Sequence, residues 1–164
     1  MRRFIVGVIG SGEGADQGAI AHAHELGILI AQEGWIILSG GRNVGVMRAV
    51  NLGAKQVPDS LTLGILPSVD AMPSPDVDIV VITDMHNARN NINVLSSDVV
   101  VACGGGGAGT VSEIALALKA GKPVILLGAG DESNAFFQKL GKGAVRIVEK
   151  PSHAVAAIRE LRHS

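Results

Sequence analysis

At 164 residues, 47% of them hydrophobic and 2% aromatic, the chain is long enough for one domain with a substantial core. A formal net charge of -1 draws it to no nucleic acid, and so few aromatics give no stacking platform for single strands. No apolar run approaches the ~18 residues of a membrane span, and the single Cys103 excludes an internal disulfide or a cysteine-cluster metal site.

The mean hydropathy of +0.36 is high for a monomer of this size. Two causes fit: a parallel sheet covered on both faces, and surface buried between subunits. Met1-Arg2-Arg3 ahead of an apolar run resembles the start of a signal peptide. The run is short and Gly10 ends it, so Phe4–Ile9 reads as a first strand and the chain as cytoplasmic.

That strand enters Gly10-Ser11-Gly12-Glu13-Gly14-Ala15, which fits the loose dinucleotide pattern G-x-G-x-x-G/A. Residues 17–33 carry apolar side chains at helical spacing. Trp35–Leu38 is the second strand. An acid should follow it to hold a ribose hydroxyl, but Ser39-Gly40-Gly41-Arg42-Asn43 stands there instead. The glycines and the cation argue against NAD and for a second anion-friendly loop, with Arg42 able to clamp a phosphate. No G-x-x-x-x-G-K-[ST] is present. A helix is predicted to about Gln56, and Thr62–Leu66 is the third strand. Residues 68–75 form a proline-rich connection, a lid or more simply a connector.

Asp78–Thr83 is the next strand. It leads to His86, Asn87, Arg89, Asn90, Asn91 and a helix ending near Ser97. In an open α/β sheet this is the ligand end of the strands, so Arg89, Asn90 and Asn91 are candidate contacts; asparagine also caps helices. The five histidines show no metal-ligand spacing, and no metal site is expected.

Asp98–Ala102 reads as a buried strand followed by Cys103 and Gly104-Gly105-Gly106-Gly107-Ala108-Gly109-Thr110. Such a run at a strand-to-helix turn aims backbone N–H groups at one spot, where a helix N-terminus favours an anion. Glu113, three residues after Thr110, suits either ligand contact or a capping box. Cys103 is most simply a small hydrophobe. Strands at 123–127 and 144–148 and helices at 132–140 and 152–161 complete an alternating pattern. The expected fold is α/β: one Rossmann-like, doubly wound domain over residues 1–164, its sheet mostly parallel with helices on both faces.

Three stretches, Gly40-Gly41-x-x-x-Gly45-x-Met47, Gly64-Ile65-Leu66-Pro67 and Gly106-Gly107-Ala108-Gly109-Thr110-x-x-Glu113, resemble the Rossmann-like family that includes the cytokinin-activating phosphoribohydrolases, labelled lysine decarboxylase-like. Gly105 holds the position of that family's proline, and Asn90 that of its lysine. The wordings Gly34–Asn43, Ala88–Asp98 and Val101–Gly105 are more similar to the molybdenum cofactor carrier proteins. That branch implies a homodimer or homotetramer binding molybdenum cofactor without turnover and handing it to a molybdoenzyme acceptor. Its ligand contacts would come from Gly10, Ser11, Gly12, Gly40, Gly41, Arg42, Asn43, Arg89, Asn90, Asn91, Gly105 to Thr110 and Glu113. The hydrolase branch implies cleavage of a nucleoside monophosphate by Arg89 and Glu113. A non-catalytic nucleotide sensor is the third reading.

Overall fold

The computed structural model describes residues 2–163; Met1 and Ser164, the ends of the domain expected over 1–164, lie outside them. The strands are β1 (Ile5–Gly10), β2 (Ile36–Ser39), β3 (Thr62–Leu66), β4 (Ile79–Ile82), β5 (Val99–Cys103), β6 (Val124–Leu127) and β7 (Val145–Val148). Between and after them run helices α1 (Gln17–Gln32), α2 (Gly45–Ala54), α3 (Arg89–Ser96), α4 (Ala108–Lys119), α5 (Asp131–Gly141) and α6 (Pro151–His163). The strands form one sheet in the order β4-β3-β2-β1-β5-β6-β7, and every pairing is parallel.

Burial with a period of two splits the core into two layers. Val99, Val101 and Cys103 of β5 join Val6 and Val8 under α1, α2 and α6. Val100 and Ala102 face the other way, against Val94 of α3, Ile114 and Ala117 of α4, and Phe137 of α5. Such continuous apolar strands are what a parallel sheet covered on both faces requires. The doubly wound α/β expectation is met.

Some boundaries move. Every strand but β3 starts one residue later than expected. At two of these starts, Phe4 and Trp35 pack their rings 5.4 Å apart at the entrance to the sheet, and at a third Asp98 accepts the Ile5 N–H (2.8 Å). The largest change is in α4: the sequence reads as helical over Ile114–Lys119, yet the helix begins six residues earlier, at Ala108. Gly104 and Gly106 take left-handed φ values of +74° and +67°, and together they reverse the chain tightly enough for the helix to start at Ala108. Residues 68–75 are tied down: the Ser74 N–H donates to the Gly41 carbonyl (2.8 Å) and Pro73 bridges to Arg42, which suits a connector. No helix among the described residues is long and apolar enough to cross a membrane.

Candidate functional site

From β1 the chain winds outward to β4, then crosses back through α3 to lay β5 on the other side of β1. The loops after β1 and β5 therefore diverge at one place, the topological switch point where ligands of open α/β sheets sit. A cleft of about 360 Å³ opens there. That volume lies at the lower end of small-molecule sites.

Its floor is the carboxyl end of β1, Val8 to Gly10, and one wall is Ser11, Gly12 and Gly14. The facing wall is the amino end of α4, with Gly107, Gly109, Thr110 and Glu113. Gly107 is the N-cap residue and offers no side-chain cap, and the first amide used within the helix is Val111 N–H to Gly107 O (3.0 Å). Amides of the preceding turn are the donors that a helix leaves unsatisfied, at its positive end. A Cβ built on Gly107 would meet only Ser11 Oγ, at 4.0 Å, so a ligand can approach this backbone closely.

Two cations border the cleft. Arg42 rises from the β2 loop and makes a loose ion pair with the exposed Glu13 (3.4 Å). Arg89, first residue of α3, reaches back over Gly40 and donates from Nη1 to the Ile65 carbonyl (2.7 Å). Burial lowers its pKa and Arg42 adds to this, while the Glu113 charge works the other way. Glu113 is 8% exposed, and burial pushes its carboxyl above the ordinary 4.5; the Asn93 hydrogen bond and the Arg89 charge oppose this. Asn93 Nδ2 donates to Glu113 Oε1 at 2.9 Å. Glu113 stands nearly two turns inside α4, so the capping-box role expected with Thr110 is not its role.

Of the residues picked from the sequence, Gly10, Ser11, Gly12, Gly40, Arg42, Arg89, Asn90, Gly107, Gly109, Thr110 and Glu113 line the cleft. Gly41, Asn43, Asn91, Gly105, Gly106 and Ala108 do not. Gly41 packs on Gly64, and Gly105 faces Ala129. Asn43 points to solvent, and so does Asn91, because one step along a helix turns the side chain by about 100°. Asn90 is buried and donates to Ser112 Oγ (2.9 Å), which ties α3 to α4. His86 lies outside the cleft while its neighbour Asn87 lines it. Met47 was also missed as a lining residue, though its place in the first turn of α2 sets it over the β2 loop. Cys103 is buried, its thiol pushed up to about 12 by that burial, and among the described residues no cluster of three or more His, Cys, Asp or Glu could hold a metal.

The model of the SLOG cluster4 family matches residues 3–155. The molybdenum cofactor binding protein of the phototrophic bacterium Rippkaea orientalis is 51% identical, with a TM-score of 0.93 over 98% of each chain. The molybdenum cofactor carrier protein of Chlamydomonas reinhardtii is 43% identical, with a TM-score of 0.93 over 99% of this chain and 100% of that one. An uncharacterised protein of Archaeoglobus fulgidus is 44% identical over 127 residues, 77% of this chain and 82% of its own. With its parallel sheet, its switch-point cleft and a match spanning nearly its whole length, the chain belongs to the SLOG cluster4 family.

Proposed function

We infer that the protein binds, protects and delivers molybdenum cofactor, a pterin carrying a dithiolene and a phosphate. One observation carries the reading beyond the likeness to carrier and binding proteins: the uncapped amino end of α4 opens at Gly107 into a cleft bordered by Arg42 and Arg89. Helix donors and two guanidinium groups suit a phosphate. Asn87, Asn90 and Glu113 offer polar groups for a pterin edge. Cys103, deep and protonated, offers no thiolate to molybdenum, which leaves the metal to the ligand's own dithiolene.

In this reading the protein works in the cytoplasm as a homodimer or homotetramer and passes its cargo to a molybdoenzyme. Carrying needs no nucleophile and no proton transfer, only shielding and release. Native mass spectrometry of the protein mixed with freshly released cofactor tests it: one cofactor per chain and a slower oxidative decay are expected. A protein that neither retains the cofactor nor slows its decay sinks the proposal.

The hydrolase reading keeps one observation on its side, since Arg89 and Glu113 line the same cleft. Incubation with adenosine monophosphate and an N6-substituted analogue separates the two. Release of free base at enzyme-like rates would replace the carrier by a phosphoribohydrolase, and saturable nucleotide binding without turnover would point to a sensor.

A further inference from the structure

Where α3 packs on α4, one buried polar atom has no partner. Asn93 is 2% exposed, and its Nδ2 donates to Glu113 Oε1 (2.9 Å), but its Oδ1 makes no hydrogen bond. An amide oxygen buried unpaired is costly, so its presence calls for a physical reason. Glu113 beside it has the matching shortage. A carboxylate taken out of water needs a cation or several donors. Among the described residues, Asn93 Nδ2 is the one donor that reaches the Glu113 carboxyl. Arg89 forms no ion pair with it, and its Nη1 is committed to the Ile65 carbonyl.

Both shortages end if the carboxyl carries its proton. We propose that Glu113 is a neutral acid paired with Asn93, its O–H donating to Asn93 Oδ1 while Nδ2 donates back to Oε1, and that this pairing keeps the cleft free of negative charge for an anionic ligand. Asn93 is then a positioning residue that acts through Glu113, a role that rests on the cleft taking a phosphorylated molecule. Acid and amide close such a ring because each supplies one donor and one acceptor. Turning the amide over leads to the same proton. Oδ1 would then meet Oε1 at 2.9 Å, and two acceptors tolerate that contact only with a hydrogen between them. Burial acts in the same direction, holding the carboxyl above 4.5.

The surrounding charges give the pair its use. Of the residues lining the cleft, Arg42 and Arg89 are the cations and Glu113 is the one acid. From α3, Arg89 and Asn93 face Glu113, while β1, β5 and β6, which also pack on α4, bring only uncharged side chains. Lys119 is the last residue of α4, and Lys122 donates to the Ser97 carbonyl beyond the far end of α3. Glu13 is exposed and paired with Arg42. Ionised, Glu113 would offset one guanidinium and repel a phosphate. Neutral, it leaves both cations to the ligand, and its oxygens keep lone pairs for a ligand N–H.

Infrared spectroscopy of the unliganded full chain at about pH 6, where a carboxyl of ordinary pKa 4.5 is ionised, reads the proton directly. The carbonyl band of a protonated acid is expected. It should vanish in Glu113→Gln and move to higher wavenumber in Asn93→Leu, which loses both hydrogen bonds. Sulfate is the anion probe, because its own charge stays constant over the range. Its affinity should fall roughly 10-fold or more across the pH interval in which the acid band disappears, and stay level with pH in Glu113→Gln. No acid band at that pH overturns the proposal, as does a band that Asn93→Leu leaves unmoved. If Asn93→Leu does not fold, the wild-type band decides: a position typical of an acid without hydrogen bonds overturns the pairing. Sulfate affinity that holds while the band disappears overturns the role at the cleft. An acid band in a chain with no affinity for sulfate would uphold the pair and overturn the anion reading of the cleft.

Discussion

Gly40 and Gly107 are both bare positions in the wall of one cleft, for opposite reasons. A Cβ on Gly40 would lie 2.6 Å from Met47 Sδ and run into the Arg89 guanidinium, so protein already fills that space. A Cβ on Gly107 would find nothing nearer than 4.0 Å. The first glycine makes room for a side chain that brings charge to the site. The second leaves room for something the chain does not supply. In one glycine-rich sequence, packing and ligand access can thus be told apart by what a methyl group would meet.

Substitutions at the two positions should separate the roles. Gly40→Val, with the largest expected effect on binding, should push aside the Arg89 guanidinium and Met47 Sδ, flexible side-chain ends that give way for about 1 kcal/mol of stability, and so remove Arg89 from the cleft. Ligand titration should fail while thermal melting shifts only slightly; a collapsed melting curve would mean that the guanidinium has nowhere to go. Gly107→Val should weaken binding of a phosphorylated ligand ~100-fold while costing no more than about 1 kcal/mol of stability at an N-cap. Parallel loss of folding would return Gly107 to a structural role.

Arg89→Ala should weaken phosphorylated ligands by ~10–100-fold, the range of a charge-assisted hydrogen bond, and leave dephosphorylated analogues nearly unchanged. Calorimetry against both forms checks this, and equal losses would remove Arg89 from phosphate recognition. Glu113→Gln is subtler. Because burial raises the folded carboxyl above 4.5, the folded state holds this proton more tightly than the unfolded chain does. The stability it contributes is whole below that unfolded value and is lost as pH rises through the folded one. Denaturant melts from about pH 4.5 to 7 should therefore show a flatter profile in the variant; an unchanged slope would place the carboxyl in water. The smallest effect is at Cys103, which should resist alkylating reagents in the native protein and react fully once denatured, since its thiol is pushed up to about 12.

The sheet was legible because its strands are continuous apolar runs bounded by glycine, proline or acid, and a strand buried on both faces needs little else. Legibility fell where tertiary contacts decide. Asn93 and Glu113 are 20 residues apart, and only the packing of α3 on α4 makes them partners. Asn91 resembled Asn90 until helix rotation put one in solvent and the other in the wall. A glycine run names a turn, but which of its members face a ligand depends on where the helix begins. The exposure of all four β4 residues was invisible for a similar reason: an apolar strand in sequence looks the same whether helices cover it or not.

The switch point also sets a clock. Gly10 to Gly12 and Gly40 to Arg42 leave the ribosome about a hundred residues or fewer ahead of Gly107, a wait of ~3–20 s at ordinary synthesis rates. Until β5 is made, β1 has a neighbour on one side only and the far wall of the cleft does not exist. A nascent chain can display the first loops but can hold nothing between them and α4. Whatever the cleft carries must arrive after translation has passed that helix.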